Sequence, residues 1–549
     1  MAIKSQLTQA RSAELSESGL WLNRLIIDYL DEVATASAEK LAIVEHNSET
    51  ETISRLSYGE LASRSKVIAL NLLALGVREG DVVAVQLPNW WHYAAVHCAC
   101  VRIGAVINPL MPIFRERELT FMLGFAEAKV FITAQTFRGF DYPSMVDGIR
   151  DELPKLAHVI VVNGNSIEQD FDRVLLAPTN LSEQDQDSTL APHRPHPNDV
   201  TEIIYTSGTT GQPKGVMHTA NTLLCKATLA KELFQFTHDD RVFMGSPLAH
   251  QTGFMYGNIF SIFNGTACVM QDLWHAKTAA SIIATEQCTL TVASTPFLSD
   301  LIQLPEIQEM EYSSLRLFLC AGAPIPRVLV AEAREKRPHL HVMSAWGMTE
   351  MGIVTATYPQ DPTEKVINTD GRALPHQAVR IVNDLDQEVG HGVEGRLQSH
   401  CVTTFVGYLK RPEEYGIDDN GWLETGDNAR MDEEGYIRIT GRSKDIIIRG
   451  GENIPVVEVE ELLYRHPTII DAAIVGIPDE RLGERGCAFV TVHSAFDFDE
   501  MKRYLGETGL SKQYFPEKLQ VIEEFPRTPS GKIQKFVLRE QAKLLAVSK

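Results

Sequence analysis

Two kinds of hydrophobic pattern alternate along the N-terminal part of the chain. Residues 56–77, LSYGELASRSKVIALNLLALGV, repeat apolar positions at helical spacing, and Gly76 is placed to end that helix. Short apolar runs at 81–87, 128–134 and 158–164 are bounded by polar or turn residues, which is typical of buried strands. Strands that alternate with helices predict an α/β fold with mixed, largely parallel sheets flanked by helices.

The pattern changes twice further along the chain. Residues 164–200 are rich in Asn, Gln, Asp and Pro, and we interpret them as a surface connection. An acidic, turn-rich stretch at 416–435 precedes a short strand, a helix and two more strands, which together predict a small α+β domain. We therefore expect a large N-terminal domain over 1–441 and a small, mobile C-terminal domain over 442–549.

Composition narrows the class of protein. The 549 residues are 44% hydrophobic and 22% charged, with a net charge of −21, as in an ordinary globular protein. An acidic chain argues against nucleic acids and anionic membranes as partners. No stretch is apolar enough for a signal peptide or a membrane span, so we expect no transmembrane segment and a cytoplasmic location. The eight cysteines are scattered, and we expect them to be reduced and structural.

One window combines the residues that suit a phosphate-binding loop. Tyr205–Val216 reads YTSGTTGQPKGV, in which glycines allow close approach of the backbone and hydroxyls surround one lysine. Its spacing is not that of a Walker A loop, and by composition alone a flexible surface turn explains it equally well. The residues proposed to contact phosphate are Thr206, Ser207, Gly208, Thr209, Thr210 and Lys214.

Six further segments stand downstream of this loop. They are SPLAHQTG (246–253), CAGAPIP (320–326), AWGMTE (345–350), WLETGD (422–427), GYIRITGRSKDIIIRGGENI (435–454) and PRTPSGKIQK (526–535). Taken singly, each has a structural explanation: a hydrogen-bonded histidine, a Gly/Pro turn, a solvated acidic turn or a surface lysine. Taken together, in this order and over nearly the whole chain, they resemble the signature segments of the acyl-adenylate-forming (AMP-binding) superfamily. The residues of these segments are most similar to those of bacterial medium-chain fatty-acid and alicyclic-carboxylate CoA ligases.

The resemblance implies a set of nucleotide contacts. Glu350 and Thr210 would hold Mg²⁺, Thr349 would bond the α-phosphate, and Lys532 would be the catalytic lysine. This chain departs from the family by placing Trp346 where a tyrosine is usual, although an indole can also stack on adenine. The remaining expected contacts are Gly322, Ala323, Pro324 and Gly347 along the adenine, and Asp427 and Arg442 at the ribose and phosphates.

The resemblance also implies an acyl pocket and a site for coenzyme A. His250 would orient the substrate carboxylate, Gly450 and Gly451 would approach the pantetheine arm, and Lys444 would be the hinge. The expected pocket residues around His250 are Gly253, Phe254, Met255, Gly257, Ala321 and Ala345. This lining is apolar and lacks an evident buried charge, which disfavours amino acids and favours a medium-chain or alicyclic acid, with an aryl acid as the alternative.

The predicted activity is therefore that of an AMP-forming acid–thiol ligase that uses ATP, Mg²⁺ and coenzyme A. A carboxylic acid would first become an acyl-adenylate and then an acyl-CoA thioester. A luciferase-like adenylating monooxygenase and a non-catalytic nucleotide-binding homologue remain as alternatives from other classes. The oligomeric state stays open, with a homodimer as one expectation.

Overall fold

The computed structural model describes residues 3–206, 213–307, 310–442, 447–449, 452–479, 482–528 and 531–547, and of 306, 448, 452–453 and 545–547 it describes the backbone alone. The α-helices are Gln9–Glu17, Ile26–Ala36, Tyr58–Ala74, Trp91–Arg102, Glu116–Phe125, Tyr142–Ile149, Phe171–Val174, Glu183–Leu190, Ala220–Leu233, Gln251–Gly253, Phe260–Asn264, Ala276–Glu286, Thr295–Gln303, Arg327–Lys336, Thr363–Asn368, Val456–Tyr464, Phe498–Glu507 and Lys535–Val547.

The largest sheet of the described chain has nine strands and is parallel through its centre. In spatial order the strands are Arg372–Ala373, Gly352–Ala356, His341–Met348, Leu317–Cys320, Leu290–Ala293, Val242–Met244, Cys268–Gln271, Leu41–Asn47 and Thr52–Ser57. At one edge Gly352–Ala356 pairs antiparallel with both Arg372–Ala373 and His341–Met348, and at the other edge Thr52–Ser57 pairs antiparallel with Leu41–Asn47. The pairs between these are parallel. Its central strands are apolar runs buried on both faces, as parallel strands require.

A second sheet of six strands supplies most of the remaining N-terminal core. Its order is Lys214–Thr219, Val200–Thr206, Val106–Pro109, Val82–Gln86, Val130–Ala134 and His158–Val162. Every pair is parallel except that of Lys214–Thr219 with Val200–Thr206. A short antiparallel pair, Thr136–Phe137 with Phe140–Asp141, stands apart from it. The predicted α/β class with mixed, largely parallel sheets is confirmed.

The helix expected from the first hydrophobic pattern is present as Tyr58–Ala74. Ser57 and Glu60 form a reciprocal capping box at its start, and Gly76 follows its end with a φ of 84°. The region 164–200 is more ordered than a plain surface connection, because it contains the helices Phe171–Val174 and Glu183–Leu190. Asp170 and Ser182 cap these helices, so polar composition there reflects capping.

The C-terminal part is a smaller α+β unit. An antiparallel sheet of Gln377–Val382, Gly395–Cys401, Leu423–Met431 and Ile437–Arg442 precedes it. Its own sheet runs Glu452–Ile454, Ile447–Arg449, Gly483–Val492 and Ile469–Asp479, and Lys518–Val521 pairs beside Gly483–Val492. A large N-terminal and a small C-terminal α+β part agree with the predicted class.

Two observations bear on the expectations from composition. All eight cysteines are buried and none forms a disulfide, as expected for structural thiols. Among the helices that the structure describes, none combines the length and the hydropathy of a membrane span.

Candidate active site

The carboxyl ends of neighbouring parallel strands bring the central segments together. Strand Val242–Met244 leads toward His250, strand Leu317–Cys320 leads into 321–326, and strand His341–Met348 contains Trp346 and Gly347. Ligands bind at this edge in open α/β sheets. A Cβ at Gly347 would overlap the carbonyl oxygen of Gly352, so this approach of two strands requires glycine.

The adenine segment after Leu317–Cys320 is a turn that opens outward. Gly322 and Pro324 are exposed, Ala321 and Ala323 are partly buried, and Gly322 has a φ of 83° with no atom near its Cβ position. The Pro324 carbonyl accepts a hydrogen bond of 2.8 Å from the Thr295 hydroxyl, which fixes the turn to the start of helix Thr295–Gln303. This backbone is therefore held in place and accessible to a flat ligand.

Asp427 is held from two sides. The indole nitrogen of Trp346 donates to its Oδ2 at 2.8 Å, and Nε of Arg442 donates to its Oδ1 at 3.2 Å. Asp427 and Arg442 are neighbours across strands Leu423–Met431 and Ile437–Arg442. The structure thus brings three of the expected nucleotide residues into one hydrogen-bonded group, with Trp346 bonded to the carboxylate.

Glu350 is a buried carboxylate with a defined orientation. Its Oε1 accepts a hydrogen bond of 2.7 Å from the Tyr408 hydroxyl, and its carbonyl accepts one of 2.7 Å from the Phe405 N–H. The described residues hold no cluster of three or more His, Cys, Asp or Glu that could bind a metal. A single buried carboxylate fits Mg²⁺, because that ion is usually held by one or two carboxylates together with substrate phosphates.

Lys214 begins the strand that follows the predicted phosphate loop. In the described structure its ammonium group forms an ion pair with Glu414 and lies 4.8 Å from the centre of the Tyr408 ring. Thr206, at the end of the preceding strand, is its partner in the sheet register. Lys214 and Thr206 therefore flank the loop from both sides.

The segment that carries Lys532 packs against the N-terminal domain. The turn before Lys532 is closed by a hydrogen bond of 2.7 Å from the Thr528 N–H to the Lys532 carbonyl. Gly531 has a φ of 83°, and its Cβ position lies 2.8 Å from the Ser294 hydroxyl oxygen. Burial and the positive charge of Lys532 lower the pKa of His250 to about 4, so its imidazole is neutral at neutral pH. His250 Nδ1 accepts a bond of 3.2 Å from the Thr252 N–H.

The predicted acyl residues form a closely packed wall. Phe254, Met255 and Ala345 are buried. The Cβ position of Gly257 lies 2.8 Å from Met244 Cγ, and that of Gly253 overlaps the Pro247 carbonyl, so both glycines serve close packing of the chain. Residues Phe254–Ile259 form a π-helix, a rare element that is often found at functional sites.

Several predicted site residues fall outside the described part of the chain. They are Ser207, Gly208, Thr209 and Thr210 of the phosphate loop, the hinge residue Lys444, and Gly450 and Gly451 of the coenzyme A segment. Thr349 is described, and its carbonyl accepts a hydrogen bond of 2.9 Å from Nε2 of the buried His218.

Sequence reasoning missed a buried charged group beside the site. Lys226 lies 3.0 Å from His218 Nε2, and burial lowers its pKa to about 7 although Glu202 and Glu350 oppose that shift. Glu202, whose charge acts on Lys226, is also fully buried. A glutamate within the apolar strand TEIIYT was the available signal, because an acidic side chain is almost never fully buried without a partner or a function.

Family models and relatives match most of the chain. The family model described as AMP-binding enzyme matches residues 30–409, and that of the AMP-binding enzyme C-terminal domain matches residues 458–532. The medium-chain fatty-acid–CoA ligase of Escherichia coli (strain K12) is 34% identical, over 98% of this chain and 94% of the relative. The 3-[(3aS,4S,7aS)-7a-methyl-1,5-dioxo-octahydro-1H-inden-4-yl]propanoyl:CoA ligase of Rhodococcus jostii (strain RHA1) is 30% identical, over 89% and 94% of the two chains.

A solved structure extends the likeness to the fold. ATP-bound MatB from Rhodopseudomonas palustris superposes with a TM-score of 0.79 at 26% identity, over 93% of this chain and 99% of that one. Motif order, fold and family models therefore point the same way. The chain belongs to the AMP-binding enzyme family, in its acyl-CoA synthetase branch.

Proposed function

We propose that the chain ligates a medium-chain or alicyclic carboxylic acid to coenzyme A, at the expense of ATP and by way of an acyl-adenylate. The observation that carries this proposal is the packing of the segment that bears Lys532 against the N-terminal domain, where the Cβ position of Gly531 lies 2.8 Å from the Ser294 hydroxyl oxygen. The charge of Lys532, which precedes the helix Lys535–Val547, also acts on His250 in the N-terminal domain. This juxtaposition supports a site that assembles for the first half-reaction.

In that half-reaction a carboxylate oxygen attacks the α-phosphorus of ATP and pyrophosphate leaves. Two anions must be held together, so positive charge at the reacting oxygens lowers the barrier. Lys532 supplies that charge, and neutral His250 orients the carboxylate without adding a second charge. Lys214 binds the ATP phosphates once its ion pair with Glu414 is broken, and Thr349 forms a hydrogen bond with the α-phosphate.

The nucleotide is held by its ribose and by its phosphates. Asp427, fixed by Trp346 and Arg442, accepts hydrogen bonds from the two ribose hydroxyls. Glu350 would hold Mg²⁺, which supplies charge neutralisation at the phosphate oxygens when it is bound. Tyr408 keeps the Glu350 carboxylate in position for that ion.

The second half-reaction transfers the acyl group to sulfur. The thiolate of coenzyme A attacks the acyl carbonyl carbon of the adenylate, the thioester bond forms, and AMP leaves. We propose a domain boundary between residues 441 and 442, with rotation about Lys444 that withdraws Lys532 and brings Gly450 and Gly451 to the pantetheine arm. This part of the proposal rests on the family resemblance.

The choice of acid is supported by the pocket wall and by the relatives. Phe254, Met255 and Ala345, which we assign to the acyl pocket, are apolar and buried. One relative at 34% identity is named for medium-chain fatty acids, and one at 30% identity for a bicyclic propanoate. Apolar lining favours an aliphatic or alicyclic body of the acid.

A CoA-dependent AMP-release assay over aliphatic, alicyclic and aromatic acids tests the proposal. We expect AMP and a thioester with medium-chain or alicyclic acids, and little of either without coenzyme A. A preference for aromatic acids would contradict the proposed substrate and would indicate an aryl-acid CoA ligase. AMP formation that needs oxygen in place of coenzyme A would indicate a monooxygenase, and no ATP–pyrophosphate exchange with any acid would contradict catalysis altogether.

A further inference from the structure

The segment that carries Thr349 and Glu350 is the loop of a tight β-hairpin. Strands His341–Met348 and Gly352–Ala356 pair antiparallel, and only residues 349–351 connect them. Because the peptide bond is planar, the unit that joins Thr349 to Glu350 includes the Cα atoms of both residues. Whatever holds the carbonyl oxygen of Thr349 therefore fixes the base from which both side chains project.

Two buried residues hold that carbonyl oxygen. Nε2 of His218, on strand Lys214–Thr219, donates a hydrogen bond of 2.9 Å to it. Nζ of Lys226, on helix Ala220–Leu233, lies 3.4 Å from the same oxygen and 3.0 Å from His218 Nε2. The exposures of His218 and Lys226 are 0% and 3%, so bulk water does not compete for these contacts.

The ring of His218 is neutral, which gives these hydrogen bonds a direction. Burial and the charge of Lys226 lower the pKa of His218 well below its usual value. With the Nε2 proton directed at the Thr349 carbonyl, Nδ1 carries no proton and accepts from Lys226, whose Nζ lies 3.4 Å away. Lys226 thereby favours the tautomer of His218 that donates to Thr349.

The aliphatic stem of Lys226 packs against the other end of the same loop. The Cβ position of Gly352 lies 3.1 Å from Lys226 Cδ and 3.3 Å from Cγ, and Gly352 has a φ of 76°. A side chain at this position would crowd the stem as well as strain the backbone. Lys226 therefore contacts the hairpin loop at both ends, at the Thr349 carbonyl and at Gly352.

A buried lysine requires partners, and those of Lys226 belong to the site. Lysine is almost never fully buried unless it is paired, because its ammonium group loses its hydration. Glu202 acts on Lys226 through its charge, but neither carboxyl oxygen of Glu202 forms a hydrogen bond with a described residue. The hydrogen-bond contacts of the ammonium group in the described structure go to His218 and Thr349.

We propose that Lys226 is a positioning residue of the first half-reaction. Through His218 and by its own contact with the Thr349 carbonyl, it orients the Thr349 hydroxyl for the α-phosphate and the Glu350 carboxylate for Mg²⁺. The inference rests on the proposed ligase function and adds a residue that we assign neither to a substrate nor to the metal. Side chains that orient metal ligands from behind contribute about tenfold to a hundredfold to metal affinity or activity.

Lys226→Met tests this role in the full-length chain, because it removes the ammonium group and keeps an unbranched apolar stem. With octanoate as the acid, we expect kcat for ATP–pyrophosphate exchange to fall about tenfold to a hundredfold, with KM for octanoate unchanged. Thioester formation from supplied octanoyl-adenylate and coenzyme A should largely survive, since neither Mg²⁺ nor pyrophosphate takes part in it. Lys231→Met, at an exposed lysine of the same helix, is the matched control and should affect neither step.

Binding without turnover gives a second measurement. The α,β-methylene analogue of ATP cannot release pyrophosphate, so the shift that it causes in the thermal midpoint reports binding alone. In the unsubstituted chain and in Lys231→Met, Mg²⁺ should enlarge this shift relative to the same analogue with EDTA. In Lys226→Met most of that enlargement should be lost, because Glu350 is no longer oriented for the ion.

Two variants of His218 separate positioning from a merely structural effect. His218→Gln keeps an amide N–H that can donate to the Thr349 carbonyl, whereas His218→Leu is of similar size and has no donor. Exchange should be largely retained in His218→Gln and reduced in His218→Leu about as far as in Lys226→Met. These two variants decide the question if Lys226→Met does not fold.

Three results would overturn the inference: unchanged exchange in Lys226→Met, equal loss of both half-reactions in that variant, or equal exchange in His218→Gln and His218→Leu. An enlargement by Mg²⁺ that is the same in Lys226→Met and Lys231→Met would also overturn it. Absence of ATP–pyrophosphate exchange with any acid in the unsubstituted chain would instead contradict the ligase function itself.

Discussion

The indole nitrogen of Trp346 donates a hydrogen bond of 2.8 Å to Oδ2 of Asp427, 81 positions further along the chain. Asp427 is only 8% exposed, and Arg442 holds its other oxygen. Trp346 stands where the family usually has tyrosine. In this chain the aromatic residue is bonded to the carboxylate that we assign to the ribose. We therefore propose that Trp346 couples recognition of the base to recognition of the sugar.

Trp346→Phe should separate these two roles. The variant keeps an aromatic face but loses the N–H donor, and a hydrogen bond to a charged group contributes about 1.5–3 kcal/mol. We expect KM for ATP to rise about tenfold, with a smaller rise for cordycepin triphosphate, which lacks one ribose hydroxyl. Trp422→Phe is the control. Trp422 lies in the same segment as Asp427 but outside the hydrogen-bonded group of Trp346, Asp427 and Arg442. An equal change for both nucleotides would argue against a role in ribose binding.

Glu414→Gln should make Lys214 available to phosphate. In the described structure Lys214 is paired with Glu414, and ATP must break this partly exposed pair to gain the lysine. Such pairs contribute about 1 kcal/mol or less, and salt screens them. KM for ATP should therefore fall about twofold to fivefold at low ionic strength and converge with the unsubstituted value in high salt. Glu413→Gln is the neighbouring control, and a raised KM in Glu414→Gln would contradict this account.

Tyr408→Phe should raise the Mg²⁺ concentration that the reaction requires, because Tyr408 orients the Glu350 carboxylate. Without the Tyr408 hydroxyl the carboxylate loses its 2.7 Å bond, so we expect the Mg²⁺ concentration for half-maximal ATP–pyrophosphate exchange to rise about threefold to tenfold. Tyr415→Phe removes a hydroxyl that bonds the Phe405 carbonyl at 3.0 Å and serves as control. If both variants shift the Mg²⁺ requirement alike, the effect is structural.

His92 should make the protein less stable in acid. Burial lowers its pKa in the fold to about 3, whereas the unfolded chain binds a proton at about 6.5. The unfolded state thus binds more protons below about 6.5, and stability contributed by neutral His92 is lost as pH falls from that value toward 3. At about pH 5 the loss is about 2 kcal/mol.

His92→Phe tests this pH dependence. The variant retains contact with Trp91 and Phe171, whose rings lie 3.8 and 4.9 Å from that of His92. Its thermal midpoint should fall less between about pH 7 and about pH 5 than that of the unsubstituted chain. Parallel pH profiles for the two proteins would show that His92 is not the group that titrates.

Several helices and strands of the N-terminal domain were predictable from the local hydrophobic pattern. The helix Tyr58–Ala74 and the strands Val82–Gln86, Val130–Ala134 and His158–Val162 follow directly from hydrophobic periodicity. The segments at 320–326 and 345–350 are recognisable by their residues, and parallel pairing of the strands that lead to them brings them together. Local rules suffice where a residue's role is set by its neighbours in sequence.

The contacts that tune the site were not predictable in this way. Tyr408 bonds Glu350 across 58 positions, and no local signal marks that tyrosine. The π-helix at Phe254–Ile259 packs through Phe254 against Tyr93 and His97, and hydrophobic periodicity predicts neither the element nor these contacts. Glu202 was visible as a glutamate in an apolar strand, but its burial together with Lys226 depends on packing between that strand and helix Ala220–Leu233.

The central claim is that Lys532 serves the first half-reaction from the C-terminal part of the chain. Lys532→Ala should abolish ATP–pyrophosphate exchange, with a loss of about a thousandfold, the size expected on removal of a charge at the reacting oxygens. Thioester formation from supplied acyl-adenylate and coenzyme A should largely survive. Lys543→Ala, which changes an exposed lysine of the same region, should affect neither step. Equal loss of both half-reactions in Lys532→Ala would contradict the account.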